Sequence, residues 1–180
     1  MTDSPMIKRR VTAPHAAPSK PLCVTSEALR TAMSRFATGV TIVTCSASTG
    51  AQGITATSFQ SVSLDPPLVS FCVDRRALSL AAFEQARVFA VSVLGAHQEY
   101  VARRFAQRGA DKWGGIDITQ GHDGVPLIAG ALATFECEMH SVLDGGDHRI
   151  ILGRVLRTTH GEAARPLLFF GGNITRQIAS

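Results

Sequence analysis

The chain has 180 residues, enough for one domain with a substantial core and cramped for two, and its 45% apolar content is ordinary for a soluble globular protein. Most of the net charge of +4 sits in the first 24 residues, where Lys8, Arg9, Arg10 and Lys20 face only Asp3, so the remainder lacks the basic body that nucleic-acid binding needs. No apolar run approaches the roughly 20 residues that span a bilayer, and no apolar stretch follows the N-terminal charges as in a secretory signal. A cytoplasmic protein with no membrane or nucleic-acid partner is expected.

In chain order, residues 1–24 contain Pro5, Pro14, Pro18 and Pro21 with few large apolar groups, and are expected to form a disordered basic tail ahead of one domain over 25–180. Ser26 is the expected N-cap of a first helix, with Glu27 in its first turn. Leu29, Met33 and Phe36 recur at helical spacing, and Gly39 is expected to stop that helix. Val40–Cys45 is β-branched and predicts a strand, followed by a turn at Ser48-Thr49-Gly50. The stretch from Gly53 to Val73 mixes Ser and Thr with β-branched and aromatic residues and reads as strand, turn, strand. Gly53 in a strand permits close approach by another group. Pro66-Pro67 cannot sit within a central strand, so one strand ends there and another begins at Leu68.

A short helix is predicted over about 78–85, a strand over Val88–Leu94, and a helix over 97–107 with Tyr100, Val101, Arg104 and Phe105 at helical spacing. A Gly-flanked loop then carries Lys112-Trp113. A long strand is predicted over 132–143, a hairpin turn at Asp144-Gly145-Gly146-Asp147, and a return strand from His148 to about Thr158. Pro166 precedes a last strand, Leu167–Phe170. Roughly seven strands and three short helices, dominated by hairpins, suit a closed or nearly closed antiparallel barrel: mainly β, with helical insertions.

Several chemistries find no support. There is no G-x-G-x-x-G after a strand, no P-loop and no G-x-S-x-G. Cys23, Cys45, Cys72 and Cys137 are widely spaced, with no C-x-x-C and no His/Cys cluster, so neither metal binding nor a disulfide is expected. Cys45 and Cys72 lie in apolar strands and read as small core hydrophobes. The hydroxyls and backbone N–H groups of the central stretch could surround a polar, planar or phosphorylated ligand, or simply form a Ser/Thr-rich hairpin.

The run Phe36-Ala37-Thr38-Gly39-Val40-Thr41-Ile42-Val43-Thr44, then Gly53-Ile54-Thr55-Ala56-Thr57-Ser58-Phe59, then Ser61-Val62-Ser63-Leu64-Asp65-Pro66-Pro67-Leu68, resembles the flavin reductase-like family. These are the short-chain reductase components of two-component flavin-dependent monooxygenases. Gly145-Gly146-Asp147-His148 and Pro166-Leu167-Leu168-Phe169-Phe170 match later motifs of that family in the same order. Where members of the family often carry an aromatic shortly after the last motif, this chain has Ile174.

The resemblance implies a split β-barrel that binds FMN or FAD and works as a homodimer. It implies oxidation of NADH or NADPH and release of reduced flavin to a separate monooxygenase. By the same resemblance, flavin contacts fall on Ala51, Gln52, Gly53, Ile54, Thr55, Thr57 and Ser58, on Cys72, Val73, Asp74, Leu78 and Ser79, and on Arg104 and Phe105. Contacts to the nicotinamide nucleotide fall on His148 and on Arg165, Pro166, Leu167, Leu168 and Phe169, with His148 orienting the nicotinamide. Arg104 supplies a cation suited to phosphate. Trp113 either covers the flavin or packs at a dimer contact, and Arg75, Arg76, Arg149 and Arg165 are the candidates for a 2′-phosphate. Hydride transfer needs no general base, which agrees with the lack of a triad or carboxylate pair. Two other readings are a flavoprotein that keeps its flavin and passes electrons to a protein partner, and a non-enzymatic binding module.

Overall fold

The computed structural model describes residues 23–48, 50–109, 111–161 and 164–177, so the expected tail lies outside the described residues up to position 22. The chain divides into two compact units, Met1–Met33 and Ser34–Ser180. In the first, helix α1 spans Ser26–Met33. Its cap is Thr25, not Ser26: the Thr25 hydroxyl accepts the Ala28 N–H at 3.1 Å, and Ser26 is already helical. The helix also ends six residues before Gly39. Thr38–Gly39 is a two-residue strand, β1, whose extended backbone pairs with a strand near the C-terminus.

The second unit is built on one seven-stranded antiparallel sheet. Its strands are β2 (Thr41–Ala47), β3 (Gly50–Ala56), β4 (Gln60–Leu64), β5 (Pro67–Asp74), β6 (Val88–Val93), β9 (Ala133–Gly145) and β10 (His148–His160), in the spatial order β3-β2-β6-β9-β10-β5-β4. Strands β7 (Ile118–Gln120) and β8 (Pro126–Ile128) form a separate pair. Strands β11 (Leu168–Phe170) and β12 (Asn173–Thr175) form a small sheet with β1. Seven strands are thus legible as one sheet, and five further strands of two or three residues accompany it.

The order explains the shape. Strands β3 and β4 are consecutive in sequence yet lie at opposite edges of the sheet, joined only by Thr57, Ser58 and Phe59. Such a link reaches at most about 14 Å. Seven flat strands would set those edges nearly 30 Å apart at about 4.8 Å per strand. The sheet must therefore roll up, and because β3 and β4 do not pair, the result is a split barrel with a seam.

Inside the roll lie Val43, Cys45, Phe71, Phe83, Phe89, Val91 and Ile151, all buried. The Phe71 ring packs against Phe89 at 5.1 Å and Phe83 at 5.6 Å. Strand β2 is buried on both faces. Its alternate residue Ile42 turns outward into a second cluster with Val40, Leu94, Val101, Phe105 and Leu167. That outer cluster is covered by helix α3 (Glu99–Ala106), while helix α2 (Leu80–Gln85) contributes Phe83 to the inner one. A Cβ on Gly153 of β10 would lie 2.2 Å from the Phe89 ring, so only glycine leaves room for that aromatic.

Candidate functional site

A cleft of about 840 Å³ opens along the seam. One wall is β3 and the linker to β4, with Ala51, Gln52, Gly53, Ile54, Thr55, Ala56, Thr57 and Ser58. The opposite wall is the end of β5 and the turn leading into α2, with Cys72, Val73, Asp74, Arg76, Ala77, Leu78 and Ser79. Phe105 and Ala106 come from the end of α3, and Gln107, Arg108, Gly109, Asp111, Lys112 and Trp113 from the loop after it. His148 enters from the hairpin tip between β9 and β10.

Strand β3 is an edge strand, and alternate residues of such a strand turn both backbone groups away from the sheet. Two of the outward carbonyls are engaged: Lys112 Nζ donates to Gly53 O at 3.0 Å, and Trp113 Nε1 donates to Ala51 O at 3.1 Å. The same alternation turns the N–H groups of Ala51, Gly53 and Thr55 to that side. The Thr55 hydroxyl donates to Ala102 O on α3 at 2.7 Å, locking helix to strand. The close approach allowed at Gly53 is made by Phe105: a Cβ there would meet its ring at 2.4 Å. The Phe105 ring in turn stands edge-on to Trp113 at 5.0 Å. On the other wall, the Ser58 hydroxyl accepts the Cys72 N–H at 2.9 Å and stitches the linker to β5.

His148 is placed by register, directly opposite Asp74 in the β5–β10 ladder. The turn before it is held by Arg75, whose Nε donates to Gly146 O at 2.7 Å and whose guanidinium pairs with Asp144. Asp144 also accepts the Gly146 N–H, which holds its carboxyl below the usual range. His148 Nδ1 and Asp147 Oδ1 lie 2.7 Å apart, and that hydrogen bond lowers the Asp147 pKa. With Nδ1 so engaged, Nε2 is the ring nitrogen left for a ligand. Asp74 is gripped by the Arg76 backbone and guanidinium, which keep its carboxyl far below the usual carboxylate range.

Of the residues expected from sequence, those on β3, the linker, β5, Leu78, Ser79, Phe105 and His148 come together in this one cleft. Arg104 does not line it. Its guanidinium donates to Gly114 O at 2.8 Å and braces the loop from behind, because on a helix it faces away from its neighbour Phe105. Arg165, Pro166, Leu167, Leu168 and Phe169 also lie off the cleft. Leu167 is fully buried in the outer cluster, Pro166 bridges Gly95, and Leu168 and Phe169 pair with β1. Sequence reasoning passed over Arg76 as a lining residue, along with Arg108 and Lys112. The Gly-flanked Lys112-Trp113 pair was the signal for the last of these.

Two of the thiols are inert by burial: those of Cys45 and Cys137 are each pushed up to about 12. Among the described residues no cluster of His, Cys, Asp or Glu could hold a metal ion, and no helix is long and apolar enough to cross a membrane.

The residues fit a flavin. The cleft is large for a single small ligand, near the top of the roughly 300–1,000 Å³ typical of such sites. Its rim carries hydroxyls and cations suited to a phosphorylated tail, and outward N–H groups suited to ring carbonyls.

Comparison with known proteins agrees. The chain matches the flavin reductase like domain model over residues 33–177. It is 42% identical over 146 residues to the flavin-dependent monooxygenase reductase subunit HsaB of Rhodococcus jostii (strain RHA1), covering 81% of this chain and 75% of that protein. It is 45% identical over 153 residues to an NADH-dependent FAD reductase of Streptomyces globisporus, covering 82% and 84%. The structure of the NADH:FAD oxidoreductase SgcE6 of Streptomyces globisporus C-1027, in complex with NAD and FAD fragments, superposes with a TM-score of 0.80 at 44% identity, covering 84% of this chain and 92% of that one. Matched along this much of its length, the chain belongs to the flavin reductase-like family.

Proposed function

We propose that the protein is an NADH-dependent flavin reductase that reduces FMN or FAD and hands the reduced flavin to a separate flavin-dependent monooxygenase. The observation that carries this reading is the seam cleft, where edge-strand backbone, hydroxyls, cations and His148 converge on one space large enough for a flavin and part of a second ligand. The relatives named above, a monooxygenase reductase subunit and an NADH-dependent FAD reductase, support it.

The flavin, when bound, supplies the hydride-accepting chemistry. The chain's own residues do the rest. Strand β3 and Ser58 hold the flavin through backbone and hydroxyl groups. Phe105 and Trp113 keep water from one side of the cleft. His148, fixed by Asp147 and the Arg75-braced turn, presents Nε2 to orient the nicotinamide. Positioning of this kind accounts for a large part of the rate of a transfer between two bound partners. The same reading places the protein in the cytoplasm as a homodimer.

The test is aerobic oxidation of NADH and of NADPH by the purified protein, first alone and then with added FMN or FAD. Activity that appears on flavin addition is the expected result and names the preferred pair. Flavin that survives gel filtration would favour an electron carrier that keeps its cofactor. No oxidation in any combination would overturn the reductase reading.

A further inference from the structure

Lys112 is the half-buried cation of the cleft. Its ammonium is held at 3.0 Å by two backbone carbonyls, Gly53 O on β3 and Phe105 O in the last turn of α3. An ammonium has three N–H donors, so one remains after these two. None of the described residues brings a carboxylate into ion-pairing range of it. The neighbouring Asp111 is turned to its own backbone, accepting the Trp113 and Gly114 N–H groups at 3.0 and 3.3 Å. The other cleft cation nearest a carboxylate, Arg76, is neutralised by Asp74. Burial alone lowers the Lys112 pKa, with no anion offsetting it. Keeping a charge half-buried without a counter-ion is unfavourable unless a ligand completes it.

Hydride transfer creates that anion. The C4–H bond of the dihydronicotinamide breaks with its electron pair, and an N–H bond forms on the flavin ring. The nicotinamide is oxidised by two electrons and becomes a cation. The flavin ring system is reduced by two electrons and becomes an anion. Both redox states of the flavin carry the same phosphate, so only a charge near the ring system distinguishes them.

Resting on the flavin-reductase reading, we propose that Lys112 is the electrostatic residue of this cleft, favouring the anionic reduced flavin over the neutral oxidised one. An interaction stronger after charge develops than before it lowers the barrier to the step that develops it. It also sets how firmly the reduced product is held before release.

The test is anaerobic titration of FMN, oxidised and dithionite-reduced, into wild-type protein and into Lys112→Met, with Lys112→Gln as a neutral side chain that keeps N–H donors. Thermal unfolding checks that each variant folds. Wild type gives the reference ratio of the Kd values for the two redox states. A unit charge within about 6 Å shifts such an equilibrium tenfold or more, and partial exposure keeps the figure near the low end. Both variants should therefore narrow the reduced-over-oxidised ratio of Kd values by about tenfold, mostly through weaker binding of the reduced form. Equal weakening of both forms in both variants would overturn the proposal and leave Lys112 as a clamp between strand and helix. An unchanged ratio would overturn it as well. Failure of wild type to bind either FMN or FAD, in either redox state, would instead remove the flavin reading, and this inference with it.

Discussion

Gly53→Ala is the sharpest test of how the cleft is built. The added methyl would lie 2.4 Å from one edge carbon of Phe105 and 2.7 Å from the next. Phe105 is 1% exposed and cannot swing into solvent. To retreat it must displace Trp113, whose ring stands 5.0 Å away and whose indole N–H is bonded to Ala51 O. Overpacking of this kind costs about 1–3 kcal/mol. For a chain of this size that corresponds to a Tm lower by about 4–8 °C at the middle of the range. Thermal unfolding followed by far-UV circular dichroism would measure it, and flavin titration should show weaker binding in parallel. The double variant Gly53→Ala/Phe105→Leu should be less destabilised than the sum of its parts by at least about 0.5 kcal/mol, because the smaller side chain vacates the methyl's space. A Gly53→Ala protein that unfolds with the wild type, or strict additivity in the double variant, would refute this account of the strand–helix contact.

Four other outcomes follow from the geometry. His148→Ala should raise KM for the nicotinamide nucleotide more than it changes flavin Kd; equal loss of both would make His148 a folding residue. Arg108→Ala should weaken FMN binding more than Arg104→Ala does, since Arg108 lines the cleft and Arg104 braces the loop from outside; the reverse order would contradict the placement. In native protein at pH 8 a disulfide reagent should react readily with Cys23 and Cys72 and leave Cys45 and Cys137 until unfolding, because burial holds those two thiols near 12. The folded-state pKa of Asp74, Glu99, Asp144 and Asp147 is depressed in each case, so their contribution is present above the ordinary carboxylate pKa and is lost as pH falls through the lowered values. Stability should therefore decline on acidification below about pH 4, and Asp74→Asn should flatten part of that decline; a pH-independent stability over that range would contradict it.

Local pattern was a good guide wherever the sheet is made of hairpins. The turn signalled by Asp144-Gly145-Gly146-Asp147 and the β-branched run of β2 announce themselves, because their partners are close in sequence or their chemistry is explicit. Pairing over long distance is where reading failed. The helical spacing of Leu29, Met33 and Phe36 predicts a helix up to Gly39, but Thr38 and Gly39 pair with Phe169 and Leu168, about 130 residues away, and that ladder holds their backbone extended. The Pro166–Phe170 motif does not line the cleft. Its apolar character is explained by Leu167 filling the outer cluster. Arg104 and Arg108 lie one helical turn apart in number, yet the helix ends at Ala106, and the break in periodicity decides which cation reaches the cleft.

The seam has one more consequence. A strand at the rim of a sheet offers a ready template to any other chain with an extended segment, and proteins that remain apart in crowded solution must blunt it. Along β3 this is done from within: Trp113 and Lys112, from a Gly-flanked loop, occupy two of the outward carbonyls an intruding strand would use. The loop that lines the cleft thus also caps part of the open edge of β3. Freeing those carbonyls should first be seen as a protein that self-associates, before it is seen as one that turns over slowly.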